Sequence, residues 1–195
     1  MFPQQLNSYR YILASKSPRR QFLLKELGIP FELQTMDVEE SFPEHLQGEE
    51  IPLYLSRKKA AAFELTDDST IVITADTVVW INDHVLNKPE DEQEARVMLR
   101  ELSGRRHEVY TGVCLKSKHR EEAFAVRTDV WFKELSDGEI DYYIKTYQPF
   151  DKAGAYGAQE WIGYVGVERI EGSYFNVMGL PVKELYERLV AMVDG

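Results

Sequence analysis

The sequence predicts a mixed α/β fold, and three observations carry that prediction. Short apolar runs of strand length alternate with stretches whose apolar residues recur at helical spacing. Residues 71–81 form one of the most apolar runs in the chain, rich in β-branched residues, as a buried strand would be. Residues 107–116 and 123–133 both read as strands with only a short break between them, so the sheet is mixed rather than purely parallel. At 195 residues the chain is expected to be a single domain, 1–195, or one domain with two lobes.

The elements follow in order. A strand near 10–14 leads into a helix near 18–27, with Ser17 as N-cap, Pro18 at the first helical position, and Gly28 and Pro30 closing it. Residues 31–34 suit a short strand, followed by an acidic loop, Asp37-Val38-Glu39-Glu40, and a helix near 51–64. The long strand 71–81 ends in a hairpin turn at Asn82-Asp83-His84. Ala95, Met98, Leu99 and Leu102 line one face of a helix near 91–102, ended by Ser103-Gly104. After the two strands, Ser136 and Glu139 form a capping box that opens a helix to about residue 147. A Gly-containing loop at 151–157 precedes a strand near 161–170. A turn at 172–181 precedes a last helix near 181–193, with Leu185, Leu189 and Met192 at helical spacing.

Composition narrows the function. A formal net charge of −10 argues against nucleic-acid binding, which needs a basic face. Cys114 is the only cysteine, so no intrachain disulfide or cysteine zinc site exists; in its apolar run it reads as a core residue. His45, His84, His107 and His119 lack ligand spacing. No signal peptide or bilayer-length apolar run is read, so a cytoplasmic protein without membrane partners is expected.

Against that acidic background, cations stand out. Ser15-Lys16-Ser17-Pro18-Arg19-Arg20 lies at the strand-to-helix turn, placing Arg19 and Arg20 in the first helical turn. Cations there are disfavoured by roughly 0.3–1 kcal/mol each. Free N–H groups, the Ser15 hydroxyl and two guanidinium forks would cradle a phosphate; the alternative is a surface turn whose arginines face solvent or pair with glutamates. Asp76 interrupts the apolar run 71–81, either as a cleft carboxylate that binds a cation or activates water, or as a buried acid paired with an arginine or capping a loop. Lys59 shares a helix face with Leu55, Ala62 and Phe63, while Arg57 and Lys58 can face solvent. It either meets a buried anion, a phosphate or Asp76, or snorkels along the core rim. Glu40 is a solvated acid or a second carboxylate for a hard metal ion. Lys88, before Pro89, is either aimed into a cleft or on the surface. In the loop 151–159, Gln159 offers a donor and an acceptor suited to a nucleobase edge. Together these residues suit a polyphosphate and a divalent cation, and do not by themselves specify a reaction.

The segment Ala14-Ser15-Lys16-Ser17-Pro18-Arg19-Arg20 resembles the opening signature of the Maf family of nucleoside triphosphate pyrophosphatases. The resemblance continues through Ala75-Asp76-Thr77-Val78-Val79, Asn87-Lys88-Pro89, Leu102-Ser103-Gly104, residues 107–113, residues 151–159, Gly172-Ser173-Tyr174 and Gly179-Leu180-Pro181, in order along nearly the whole chain. It implies an elongated central sheet flanked by helices, with a deep cleft between two lobes, similar to inosine triphosphatases. It implies hydrolysis of a nucleoside triphosphate between the α and β phosphates, a requirement for Mg²⁺ or Mn²⁺, and a homodimer in many members. Carried over by residue, Asp76 would be the general base and touch the metal, and Glu40 would be a metal-site acid. Ser15, Arg20, Lys59 and Lys88 would hold phosphates; Arg19, Thr77 and Gln159 would set base choice.

Asp76-Thr77, the 151–159 loop and Gly172-Ser173-Tyr174 resemble the branch acting on dTTP and UTP, which implies a housekeeping enzyme with modified pyrimidine nucleotides as candidate further substrates. The 7-methyl-GTP branch, an alternative, usually has a glutamine after the aspartate. A second alternative is a nucleotide-binding regulator of septum formation and cell division, a role linked to the same family. One departure is Glu160-Trp161, where relatives often carry glycine after the glutamine; the larger side chain would narrow a base pocket.

Overall fold

The structure, a computed structural model, describes residues 4–194. Among the described residues, seven strands, β1 (Arg10–Leu13), β2 (Phe31–Leu33), β3 (Thr70–Ile81), β4 (His84–Leu86), β5 (Arg106–Lys116), β6 (Glu121–Phe132) and β7 (Val167–Glu171), form a mixed sheet in the order β2-β1-β3-β5-β6-β7, with β4 pairing β3. The chain divides into two compact units. The first takes the chain up to Asp76, Thr111–Val126, and the chain from Gly179 on; the second takes Thr77–Tyr110 and Arg127–Met178.

In the first unit, β1 (Arg10–Leu13) lies parallel to both β2 (Phe31–Leu33) and the first half of β3 (Thr70–Ile81). Leu13 faces Leu33 on one side and Ile73 on the other. β3 is buried along nearly its whole length, which accounts for its unbroken apolar run. α1 (Pro18–Glu26) begins as the sequence dictates: the Ser17 hydroxyl accepts the Arg20 backbone N–H at 3.5 Å, and Pro18 occupies the first turn. α2 (Glu50–Ala61) ends short of the expected residue 64. Lys116 on β5 (Arg106–Lys116) donates to the carbonyls of Ala60 and Phe63 at 3.2 and 2.7 Å, capping the helix end where a cation is favoured. α2 also packs directly on β5: a Cβ added at Gly112 would stand 2.3 Å from the Pro52 carbonyl carbon, so no larger residue fits there. α7 (Val182–Asp194) buries Leu185, Leu189 and Met192.

In the second unit, β3 turns back through Asn82 and Asp83, both with positive φ (49° and 61°), into the antiparallel β4 (His84–Leu86). α3 (Glu92–Leu102) buries its Ala95, Met98, Leu99 and Leu102 stripe. β6 (Glu121–Phe132) leads into α4 (Asp137–Tyr147), whose capping box is formed as expected. Phe132, Ile140, Tyr143 and Ile144 join the α3 stripe in one core.

The expected strand near 161–170 is instead a short helix, α5 (Trp161–Gly166), followed by β7 (Val167–Glu171), antiparallel to β6. Apolar content alone does not separate the two states in so short a run; the burial of Ile162 and Gly166, four residues apart, marks the helical face. Within the expected turn at 172–181, Tyr174–Met178 forms another short helix, α6. Cys114 is buried, as read from its neighbours. Among the described residues, no helix is long and apolar enough to cross a membrane.

Candidate active site

β1 runs parallel to β3 and ends at Leu13 beside Ile73, and the carboxyl end of such a strand is where open α/β sheets collect ligands, while the longer β3 continues past it to Ile81. The chain leaves β1 at Ser15 and carries Asp76 on β3 three residues past the Leu13–Ile73 pair. Ser15 is buried, and its hydroxyl accepts the Ser17 N–H at 3.2 Å. Arg20 neither faces solvent nor relies on glutamates alone. Its Nε donates to the Gly179 carbonyl and its Nη1 to the Ala75 carbonyl, both at 2.8 Å. The guanidinium is thus clamped to the residue before Asp76. Burial pulls its pKa below the usual arginine value, and the charge of Arg19 adds to this. The carboxylates of Asp76 and Glu40 oppose it. Arg19 stands half-buried in the same turn.

Lys59 resolves the choice between a snorkelling lysine and one meeting an anion. Its Nζ lies 2.5 Å from Asp76 Oδ1 and 2.7 Å from Glu40 Oε1, so one ammonium bridges both carboxylates. The Lys59 and Asp76 side chains are only 15% and 12% exposed, while that of Glu40 is 47% exposed. Helix period sets this up, since α2 turns Lys59 inward from the side that carries Ser56, whose carbonyl accepts the Thr74 hydroxyl on β3 at 2.7 Å. Lys58 differs from expectation. Rather than facing solvent freely, its Nζ donates to the Ser41 carbonyl at 2.9 Å and the Ser41 hydroxyl at 3.1 Å. Adjacent lysines therefore hold adjacent residues of the acidic loop, Lys58 on Ser41 and Lys59 on Glu40. The motif Arg57-Lys58-Lys59 alone carried no signal for that division.

In the second unit, Thr77 is half-buried on β3 and Lys88 is exposed just after β4. The Gly154 N–H donates to the Asn87 carbonyl at 3.1 Å, joining the Lys88 turn to the 151–160 loop. That loop contains a buried cation the sequence did not mark, because Lys152 sits among small residues rather than in a basic cluster. Its Nζ lies 2.6 Å from Asp151 Oδ1 and 3.2 Å from Glu160 Oε1. Gln159 is half-buried, and its Oε1 is buried without a hydrogen-bond partner among the described residues. Also among the described residues, no three His, Cys, Asp or Glu side chains cluster as a metal site.

Fold and site together define a class: mixed α/β proteins whose parallel strand ends carry clamped cations beside paired carboxylates. The family model for Maf-like proteins matches residues 10–192, and the chain belongs to that family. It is 54% identical over 188 residues to a protein of Phocaeicola vulgatus named dTTP/UTP pyrophosphatase, covering 95% of this chain and 97% of that protein. A Porphyromonas gingivalis protein of the same name is 52% identical over 188 residues, covering 94% of each. Among solved structures, the Ham1 protein of Staphylococcus aureus overlaps 63% of this chain and 71% of its own, with a TM-score of 0.42 and 14% identity.

Proposed function

We propose that the protein hydrolyses nucleoside triphosphates, dTTP and UTP among them, to the monophosphate and pyrophosphate. The observation that carries the reading is the Asp76–Lys59–Glu40 bridge at the strand end where Arg20 is clamped. The names borne by relatives more than half identical to this chain supply the substrate class.

Each residue then has a task. Arg20 and Lys59 neutralise phosphate oxygens, Ser15 donates a hydroxyl to one, and Lys88 adds a further cation. Asp76, rigidly carried on β3, accepts the proton of an attacking water. The water oxygen bonds to the α-phosphorus as the bond from that phosphorus to the bridging oxygen breaks, and pyrophosphate leaves. Gln159 contacts the base edge, with Arg19 and Thr77 contributing to base choice. The donor set also fits a divalent cation such as Mg²⁺ or Mn²⁺. Two carboxylates, Asp76 and Glu40, already converge on one positive centre, and such ions are typically held by one or two carboxylates plus phosphate oxygens. Held by Asp76 and Glu40, the metal would take the place the Lys59 ammonium fills between them, leave Lys59 to the phosphates, and neutralise charge on the phosphates.

Incubation of the purified protein with a nucleotide panel and Mg²⁺ or Mn²⁺ tests the reading. Pyrophosphate from dTTP or UTP, lost in Asp76→Asn, is expected; no release from either nucleotide rejects it.

A further inference from the structure

Glu40 joins the Asp76–Lys59–Glu40 bridge from a stretch with little regular structure to hold it. Residues 34–43 form neither helix nor strand, and the Glu40 side chain is 47% exposed. Asp76, by contrast, is buried and carried on β3. A carboxylate on an irregular stretch binds a cation well when its placement is set beforehand, because ordering it at the moment of binding costs conformational entropy.

α2 supplies a tie one residue further on. Lys58 Nζ donates to the Ser41 carbonyl at 2.9 Å and to the Ser41 hydroxyl at 3.1 Å. With both oxygens of one residue engaged, Ser41 has one orientation, and Glu40 is one peptide unit away. The ammonium also lies 5.9 Å from the centre of the Tyr54 ring, one turn earlier on the same face of α2. The partner that Lys58 takes is informative. Glu39 and Glu40 lie next to Ser41 in sequence, yet among the described residues Lys58 forms its hydrogen bonds with neutral Ser41. A lysine that served only to balance charge would meet a carboxylate; one bonded to a carbonyl and a hydroxyl fixes where the chain runs.

We infer, on the reading of Glu40 as a metal-site carboxylate, that Lys58 is a positioning residue: steadied by Tyr54, it pins Ser41 to α2 and so holds the Glu40 carboxylate ready for the divalent cation. Charge and positioning predict opposite signs. By charge alone, removing a lysine beside a cation site strengthens cation binding, because a like charge is gone. Removing a tie on the ligand weakens it.

The test measures binding of Mn²⁺ alone to the full chain, from loss of the free-ion electron paramagnetic resonance signal. Wild type, Lys58→Met, Tyr54→Leu, Glu40→Gln and the double variant Lys58→Met with Glu40→Gln are compared, with thermal melting to establish folding. Lys58→Met is expected to weaken Mn²⁺ binding about tenfold, the low end for groups that orient a metal ligand, since its contact with Ser41 is open to solvent. Tyr54→Leu, which changes no charge, is expected to weaken it by a smaller factor, and it decides the matter if Lys58→Met does not fold, wild-type affinity then being the refuting result. Glu40→Gln is expected to weaken binding, with no further loss when Lys58→Met is added, because the tie then has no carboxylate to position. General loosening lowers affinity by the same factor in both backgrounds. Unchanged or tighter Mn²⁺ binding in Lys58→Met, or an equal loss with and without the Glu40 carboxylate, overturns the positioning role and leaves Glu40 as a ligand. If Glu40→Gln binds Mn²⁺ as the wild type does, the metal-site reading itself is overturned, and the positioning role with it.

Discussion

Replacing Lys59 with methionine keeps most of the aliphatic stem and removes only the charge, so it reads the Asp76–Lys59–Glu40 bridge directly. The two arms of the bridge differ in weight. Glu40 is 47% exposed, and an ion pair so open to solvent contributes at most about 1 kcal/mol. Asp76 is 12% exposed against 15% for Lys59; stripping one partner from a buried pair costs about 3–5 kcal/mol because the other charge is left behind. Partial access of water places the expected loss near the lower end, about 3 kcal/mol in all. For a chain of this length that lowers Tm by about 6–12 °C. In an Asp76→Asn background the same substitution loses only the Glu40 arm, about 1 kcal/mol. Calorimetry on the four proteins of this cycle is the assay. A Lys59→Met melting point within 2 °C of wild type, or equal losses in both backgrounds, refutes the assignment of the bridge as an energetically coupled unit.

Three further outcomes are expected. Burial pushes the His107 imidazole down to about 3 from 6.5, while its Nε2 meets the Tyr156 hydroxyl at 2.7 Å. Between those values the unfolded chain binds a proton that the folded chain does not. Stability is therefore flat above pH 6.5 and falls on acidification towards pH 3, by about 2 kcal/mol at pH 5 from this group. Urea denaturation should show that slope reduced in His107→Gln; identical slopes would count against it. Burial pushes the Cys114 thiol up to about 12, so iodoacetamide at pH 8 should label it only after denaturation, and rapid labelling of the native protein would contradict its placement. Gly112→Ala forces a methyl group into the Pro52 backbone, which cannot move aside as a side chain can; a loss of about 3 kcal/mol or more is expected in denaturant titration, and a neutral substitution would show that α2 does not pack on β5 so closely.

Local chemistry explains which parts of the fold were legible in the sequence. The Ser17-Pro18 start of α1, the capping box at Ser136 and Glu139 and the Asn82-Asp83 turn are written in a few adjacent residues, and the structure forms all three. The residues at 161–166 misread as strand because six residues are too few for period to show, and their helical state depends on which side meets the core. The site divides the same way. Asp76 and Lys59 were visible as charges on faces that are otherwise apolar, and they meet. The clamp on Arg20 was not visible, because main-chain carbonyls of Ala75 and Gly179 have no side-chain signature. Lys152, Tyr143 and Glu160 form a network only because the loop folds back on α4, a relation that sequence spacing does not encode.

The central claim is that water attacks the α-phosphorus of a pyrimidine nucleoside triphosphate with Asp76 as its base. Hydrolysis of dTTP in ¹⁸O-labelled water, followed by mass spectrometry of both products, tests it most directly. Label in dTMP with none in pyrophosphate, and neither product formed by Asp76→Asn, is the predicted result. Label in pyrophosphate, or release of inorganic phosphate with dTDP, would place the attack on another phosphorus and contradict it.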